Sequence, residues 1–335
     1  MEMVIFKKIF NRTETYVILI ALLFGVAVEA VSGQFFSNTG MVNLARASMV
    51  YLVFGLTEML SLTCAGPDVS YPALASLSAF ITASIFGGDS YSGNIVVPIL
   101  FCMVIGALGG MINGFIMAKF NFPSLIVTLG TSSVFSGIMY GPLKASNTVL
   151  HGTLAEFGKA KLFSVTNAGS GLKAELPLQF LIVIVLYLIV FFLLRYTMFG
   201  RGLYAIGSDK VAAERSGFKT AQITFLSYTL GGVIAAIGGF MYTCNVGAIS
   251  PSDLMGGEML IIAACTLGGI RPGAGLGGLF NVIIGVVLLI MIQNNLLMLG
   301  IPLYYQDVFT GAIILIGTVV SVNSLRSRSG IKRID

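Results

Sequence analysis

Charge is what this chain of 335 residues has least of. Asp, Glu, Lys and Arg make up 10% of it, against about 25% in a typical soluble domain. With 56% hydrophobic residues and a mean hydropathy of +0.94, that deficit excludes an ordinary soluble fold. Histidine is nearly absent too. His151 alone cannot build a His-rich zinc site, and no H-E-x-x-H occurs. No G-x-x-x-x-G-K-[ST] occurs either, so the chain has no P-loop of its own for ATP phosphates. Cys64, Cys102, Cys244 and Cys265 show no CxxC spacing, lie in or near apolar runs and read as small hydrophobes. The carboxylates do not cluster by spacing, and neither a catalytic nor a metal site is expected. The first apolar run is too long for a signal h-region and lacks a small-residue cleavage site, so no cleaved leader is expected.

What is present is apolar sequence in long runs. A helical span needs about 20 mostly apolar residues, and ten runs qualify as candidate spans: 15–33, 48–66, 68–87, 94–118, 123–142, 177–194, 221–243, 258–270, 276–299 and 308–322. Continuous runs without period-two alternation exclude a transmembrane barrel. The expectation is an all-α integral membrane protein, a polytopic bundle of about ten transmembrane helices forming a single domain over 1–335.

Lys and Arg fix an expected orientation. With a cytoplasmic amino terminus and ten spans, fourteen of them fall inside and five outside (Arg46, Lys144, Lys159, Lys161 and Lys173), as the positive-inside rule requires. Both termini are then cytoplasmic. The hydrophilic stretch 143–176 with His151 lies outside, and the loop 196–220 and basic tail 323–335 lie inside. The tail has no interleaved aromatic residues, so it reads as an orientation signal and no nucleic-acid partner is expected.

Three stretches stand out within the apolar runs. "CAGPDVSYPALAS", Cys64–Ser76, joins two runs without a hydrophilic loop, and its Pro67 and Pro72 remove backbone donors. A broken or re-entrant segment is expected near 66–72. Asp68 belongs either to a broken helix lining a pathway or to a tight turn at the cytoplasmic side. "GALGGMINGF" places Gly106, Gly110 and Gly114 four residues apart, a helix-packing spacing. Its GGMIN is echoed by GGLFN at 277–281, a weak sign of repeated halves. Asn113, Asn281, Asn294 and Asn295 either line a pore or tie helices together.

The charge that does exist gathers in "FGRGLYAIGSDKVAAERSGF", 199–218. Ser208 or Asp209 can cap a helix over KVAAERS, and Gly217 suits the left-handed position that ends one. This is either a solvated loop helix or a docking helix for a soluble partner.

The loop resembles that of ABC-importer permeases of the ribose and simple-sugar class, roughly F-G-R-x-x-Y-A-I-G-x-x-x-x-A-A-x-x-S-G. Here FGR is 199–201, YAIG 204–207, AA 212–213 and SG 216–217. GPDVS at 66–70 resembles the family's G-I-D-L-S, and Gly106–Phe115 its G-x-x-x-G-x-x-N-G. FPSLIVTLGT at 122–131 resembles P-x-x-I-x-T-L-G-T. The segment 250–269 is similar to P-x-x-x-x-G-x-E-x-x-x-I-A-A-x-x-x-G-G. The resemblance implies an import permease moving a sugar or sugar-like solute by alternating access, with no catalysis and no cofactor of its own. ATP-Mg belongs on a separate ABC ATPase subunit. A second permease subunit, identical or not, an extracytoplasmic solute-binding protein and membrane lipid complete the expected partners.

Gly207, Asp209, Ala212, Ala213, Glu214 and Gly217 are the expected ATPase-coupling residues. Asp68, Ser70, Asn113 and Asn281 are expected in the translocation pathway, and Glu258 at the outer gate. The chain departs from the family pattern at Tyr71 and Pro72, at Asn245 where an arginine is common, and at Arg271 and Pro272. A secondary transporter driven by an ion gradient is the alternative, and Glu58 or Asp68 could hold its ion. An intramembrane enzyme or receptor would need a reactive cluster that the sequence does not offer.

Overall fold

The computed structural model describes residues 13–89, 91–167, 171–296, 299–305, 308, 311–312 and 315. Helix α1 is Thr13–Ser32, α2 Asn38–Cys64, α3 Tyr71–Phe86, α4 Val96–Phe120 and α5 Ser124–Tyr140. A short α6, Gly152–Lys159, precedes α7, Phe180–Tyr196. Then follow α8, Met198–Ser208, α9, Lys210–Arg215, α10, Thr220–Val246, α11, Glu258–Leu267, and α12, Leu279–Asn295.

Among the described residues α1, α2, α4 and α10 are long and apolar enough to cross a membrane. A fifth span results if α7 and α8, bent by 74°, count as one. The expected count of about ten is therefore not confirmed. The runs at 68–87, 123–142, 258–270 and 276–299 form apolar helices of 17 residues or fewer, and the run at 308–322 and the tail 323–335 lie essentially outside the described residues. Backbone chemistry shortens these helices. Gly66 at φ +132° and Pro67 break the helix, and α3 starts only at Tyr71, with Pro72 in its first turn. Gly268 and Gly269 follow the end of α11.

The centre of the bundle is α2 packed against α10 and α12, with α10 also running along α4. Gly106, Gly110 and Gly114 make that last contact, since a β-carbon at any of them would strike the α10 backbone or Ala236. This is the close approach expected of small residues spaced by four. The GGLFN echo has a different conformation: Gly277 is at φ +122° and Gly278 caps α12, whereas GGMIN lies inside α4. The echo in sequence is therefore not an echo in local conformation.

The hydrophilic stretch 143–176 departs from the all-α expectation. Besides α6 it holds β1, Thr148–Val149, paired with β4, Ala248–Ile249. It also holds a hairpin of β2, Lys161–Thr166, and β3, Lys173–Pro177. Lys161 and Glu175 form a salt bridge across the hairpin. His151 is exposed at its edge, 4.0 Å from Asp89.

Candidate functional site

The break between α2 and α3 gathers polar groups from four elements. Asp68 Oδ1 accepts hydrogen bonds from Ser70 N–H (2.8 Å) and Ser70 Oγ (2.6 Å). With its proton committed there, Ser70 Oγ accepts from Asn113 Nδ2 of α4 at 2.7 Å. The backbone N–H of Asp68 donates to Glu58 Oε1 of α2 at 3.3 Å. From α5, Thr128 Oγ1 accepts from Val69 N–H at 3.2 Å, and Ser124 Oγ donates to Pro67 O. The hydroxyl of Tyr228 on α10 therefore donates to Ser124 Oγ, at 2.8 Å. Irregular backbone is tolerated inside the bundle because the N–H groups of Asp68, Val69 and Ser70 and the carbonyl of Pro67 find side-chain partners. Two oxygens in this cluster have none: Glu58 Oε2 and Asn113 Oδ1 are buried without a hydrogen-bond partner.

One helical turn from Glu58 along α2, a cavity of about 490 Å³ opens toward the hairpin end of the bundle. Phe54 and Tyr71 close its deep end, 5% and 2% exposed, with ring centroids 5.3 Å apart. Asn43, Arg46 and Tyr51 of α2, Tyr242 and Asn245 of α10, Asp253, and Gln293 and Asn294 of α12 line the walls. Asn245 Oδ1 is buried with no protein partner. Arg46 and Asn245 also border a second hollow of about 370 Å³ under Lys159, Lys161 and Glu175. The volume falls within the range of about 300–1,000 Å³ typical of small-molecule sites. Aromatic faces beside amides suit a ligand with both C–H faces and hydroxyls.

At the other end of the bundle α8 turns across the tips of the long helices. Thr197 caps it, accepting from Gly200 N–H at 3.3 Å. Gly207 is buried on the backbone carbonyl of Thr63, in the last turn of α2, and on Gly275. The turn at 271–276 reinforces this seat: Gly273 N–H donates to Leu62 O at 3.0 Å, and Ser208 Oγ donates to Ala274 O at 3.3 Å. Asp209, not Ser208, caps α9, accepting from Ala212 N–H at 3.0 Å. Gly217 takes φ +86° after it. Glu214 Oε1 accepts from Thr220 Oγ1 at 2.7 Å, and Lys210 Nζ donates to Asn121 Oδ1. So α9 is tied at both ends while Val211, Ala212 and Arg215 face outward, Val211 being 56% exposed.

A profile of the family described as "Branched-chain amino acid transport system / permease component" matches residues 40–318. The chain belongs to that family. It is 28% identical over 306 residues to the autoinducer 2 import system permease protein LsrC of Photorhabdus laumondii, covering 91% of this chain and 87% of that protein. It is 27% identical over 319 residues to LsrC of Yersinia pseudotuberculosis, covering 94% and 86%. To the ribose import permease protein RbsC of Escherichia coli it is 28% identical over 303 residues, covering 90% and 92%. No solved structure matches the chain. The resemblance to import permeases of the simple-sugar class thus holds along nearly the whole length, and the chain is a multi-pass membrane permease.

Of the permease residues expected from sequence, Asp68, Ser70 and Asn113 come together in the break. Asn281 does not join them. Its Nδ2 donates to Gly268 O at 2.7 Å and its Oδ1 accepts from Gly278 N–H, tying the start of α12 to the end of α11. Glu258 begins α11 beside the cavity-lining Gly257, with Oε2 buried and unpartnered. Of the cavity walls, sequence reasoning singled out only Asn294, as a residue that either lines a pore or ties helices together. Tyr71 and Asn245 were visible only as departures from the family pattern, and both line the cavity. Among the described residues no group of three or more His, Cys, Asp or Glu side chains comes together to hold a metal ion.

Proposed function

We propose that this chain is the permease subunit of an ATP-driven ABC importer, moving a sugar or sugar-like solute across the cytoplasmic membrane by alternating access. The observation that carries the reading is one continuous line of contact. The capped helix α9 adjoins α8, α8 is seated by Gly207 on the end of α2, and α2 leads through Glu58 and Phe54 to the floor of a polar cavity. A push on α9 reaches that floor through rigid packing. Relatives named for ribose and autoinducer 2 import, with a cavity of aromatic and amide side chains, support a sugar-like solute.

In this reading 1–335 is a single permease domain with both termini in the cytoplasm. The hairpin end faces outward and receives solute from an extracytoplasmic binding protein. Solute rests above Phe54 and Tyr71, with Glu258 beside the outer mouth, and crosses the polar cluster of Asp68, Ser70 and Asn113 when that floor parts. ATP-Mg is bound and hydrolysed on a separate ATPase subunit, and a second permease subunit completes the assembly. Asp209 and Gly217 shape α9, while Gly207 and Ala213 are buried and position it. Ala212, Glu214 and their exposed neighbours Val211 and Arg215 face the ATPase.

The test is co-purification with the ATPase encoded beside this chain, comparing wild type with a Val211→Asp, Arg215→Glu double variant. Both side chains are exposed, so the fold should survive. ATPase captured by wild type and lost from the variant supports the reading. Uptake that needs no ATPase and collapses with the membrane potential overturns it in favour of a gradient-driven carrier.

A further inference from the structure

Residues of α7, α8 and α12 enclose a groove of about 830 Å³ on the outside of the bundle, larger than the polar cavity. The bend at Thr197 shapes it, because α8 leaves the line of α7 and adds Tyr204 to the lining. Leu188 and Phe191 of α7 and Phe280 and Ile283 of α12 are exposed along it. In a membrane-spanning bundle such side chains face acyl chains, so the groove is open to lipid. Tyr187 also lines it, with its hydroxyl already committed to Leu52 O of α2 at 3.1 Å.

Two polar side chains in the same groove, Arg195 and Tyr204, have no such commitment. Arg195 is exposed in the last turn of α7 and forms no salt bridge among the described residues. The Tyr204 hydroxyl has no hydrogen-bond partner among them. Helices α7, α8 and α12 contain no Asp or Glu, and α8 adds a second exposed cation, Arg201. Seven residues separate Leu188 from Arg195, about 10 Å along α7. The groove therefore has a cationic end and about two helical turns of apolar wall beyond it. That is the complement of an amphiphile with an anionic head.

A second copy of this chain suits the groove less well. The exposed carboxylates described at the α8 end, Asp209 and Glu214, are engaged by Ala212 N–H and Thr220 Oγ1, so a copy brings Arg195 no free acid. A zwitterionic lipid would set its ammonium group near Arg195, with no carboxylate in these helices to receive it.

We propose that the groove is a binding site for one anionic phospholipid, its phosphate held by Arg195 and the Tyr204 hydroxyl and an acyl chain lying between α7 and α12. Guanidinium and phosphate pair through two parallel hydrogen bonds, and basic pockets between transmembrane helices hold anionic headgroups. The site depends only on the multi-pass fold; that its lipid comes from the cytoplasmic leaflet rests on the permease reading above. Bound there, the lipid braces α8 against α7 and α12, three residues from Gly207.

The chain contains no tryptophan, so a single one placed in the groove reports on it alone. The full-length chain carrying Leu188→Trp is reconstituted in vesicles of phosphatidylcholine and phosphatidylglycerol, with one lipid or the other brominated, and quenching of the indole fluorescence is compared. Phosphatidylglycerol is expected to be preferred about fivefold, the worth of one cation at a membrane surface, and the preference to vanish when Arg195→Gln is added. Leu108→Trp, exposed on α4 outside the groove, is expected to show no preference. If Leu188→Trp does not fold, Phe280→Trp in the opposite wall must show the same preference. Equal quenching by the two lipids in the groove overturns the proposal, as does a preference that survives Arg195→Gln or is matched at Leu108→Trp. A groove tryptophan quenched by neither lipid, while Leu108→Trp is quenched, means that protein covers the groove, a second copy or this chain's own 308–322, and is equally fatal. A preference unchanged by Tyr204→Phe removes the hydroxyl from the site. These spectra need neither ATPase nor solute, so the lipid site and the permease reading can fail separately.

Discussion

Gly207 and Thr63 are in backbone contact: the α-carbon of the one sits on the carbonyl oxygen of the other, leaving no room for a methyl group between α8 and the end of α2. Backbone on both sides, with Gly275 closing the third, means that a clash has no flexible side chain to absorb it. Gly207→Ala is expected to cost about 1–3 kcal/mol through overpacking. The measurable result is a lower melting temperature in detergent, with loss of solute-stimulated ATP hydrolysis in the reconstituted assembly. Full stimulation by the alanine variant would show that this contact transmits nothing.

The second prediction concerns the cavity floor. Tyr71 and Phe54 pack ring against ring between the cavity and the polar cluster. Removing either ring joins two polar compartments that are now separated. Tyr71→Ala is expected to let solute equilibrate across proteoliposomes without ATP, while wild type stays tight. A variant as tight as wild type would place the barrier elsewhere.

Asn245 tests the solute contact. Asn245 lines the cavity, and its Oδ1 has no hydrogen-bond partner in the protein. Asn245→Ala is expected to remove one hydrogen bond, a net loss of about 0.5–1.5 kcal/mol. That appears as a higher KM for uptake with a near-normal melting temperature. An unchanged KM would remove Asn245 from the binding surface.

Packing between α4 and α10 gives a fourth test. Gly110 lies on the backbone of Tyr228 and Thr229, and Tyr228 also bonds Ser124 beside the break. Gly110→Leu is expected to separate the two helices and abolish the folded monodisperse protein on size-exclusion chromatography. Gly130→Ala, where a β-carbon meets nothing within 4 Å, should leave the elution profile unchanged.

Much of this was legible in the chain before any coordinates. The low charge announced a membrane protein, the spaced glycines of α4 announced a close helix contact, and Asp209 and Gly217 marked the ends of α9. Each of these signals is local, set by a few neighbours in sequence. The break near 66–72 was legible as well, from Pro67 and Pro72, whereas the helix ends inside other apolar runs were not: the run at 276–299 is helical over Leu279–Asn295, with Gly277 at φ +122° before it. The cavity was not legible because its walls come from α2, α3, α10, α12 and the 253–257 connection, which only the fold brings together. Asn281 shows the converse limit. An asparagine inside an apolar run reads the same whether it faces a pathway or, as here, fastens Gly268 to Gly278.

The bend of 74° at Thr197 has a mechanical consequence. Because α8 departs sideways from α7 instead of continuing it, the helix is a lever hinged at Thr197 with Gly207 near its free end. Eleven residues span about 16 Å, so a tilt of about 10° at the hinge carries the free end through about 3 Å. A displacement of that size is about one hydrogen-bond length. A slight rotation about Thr197 would therefore be enough to lift Gly207 from its seat on Thr63.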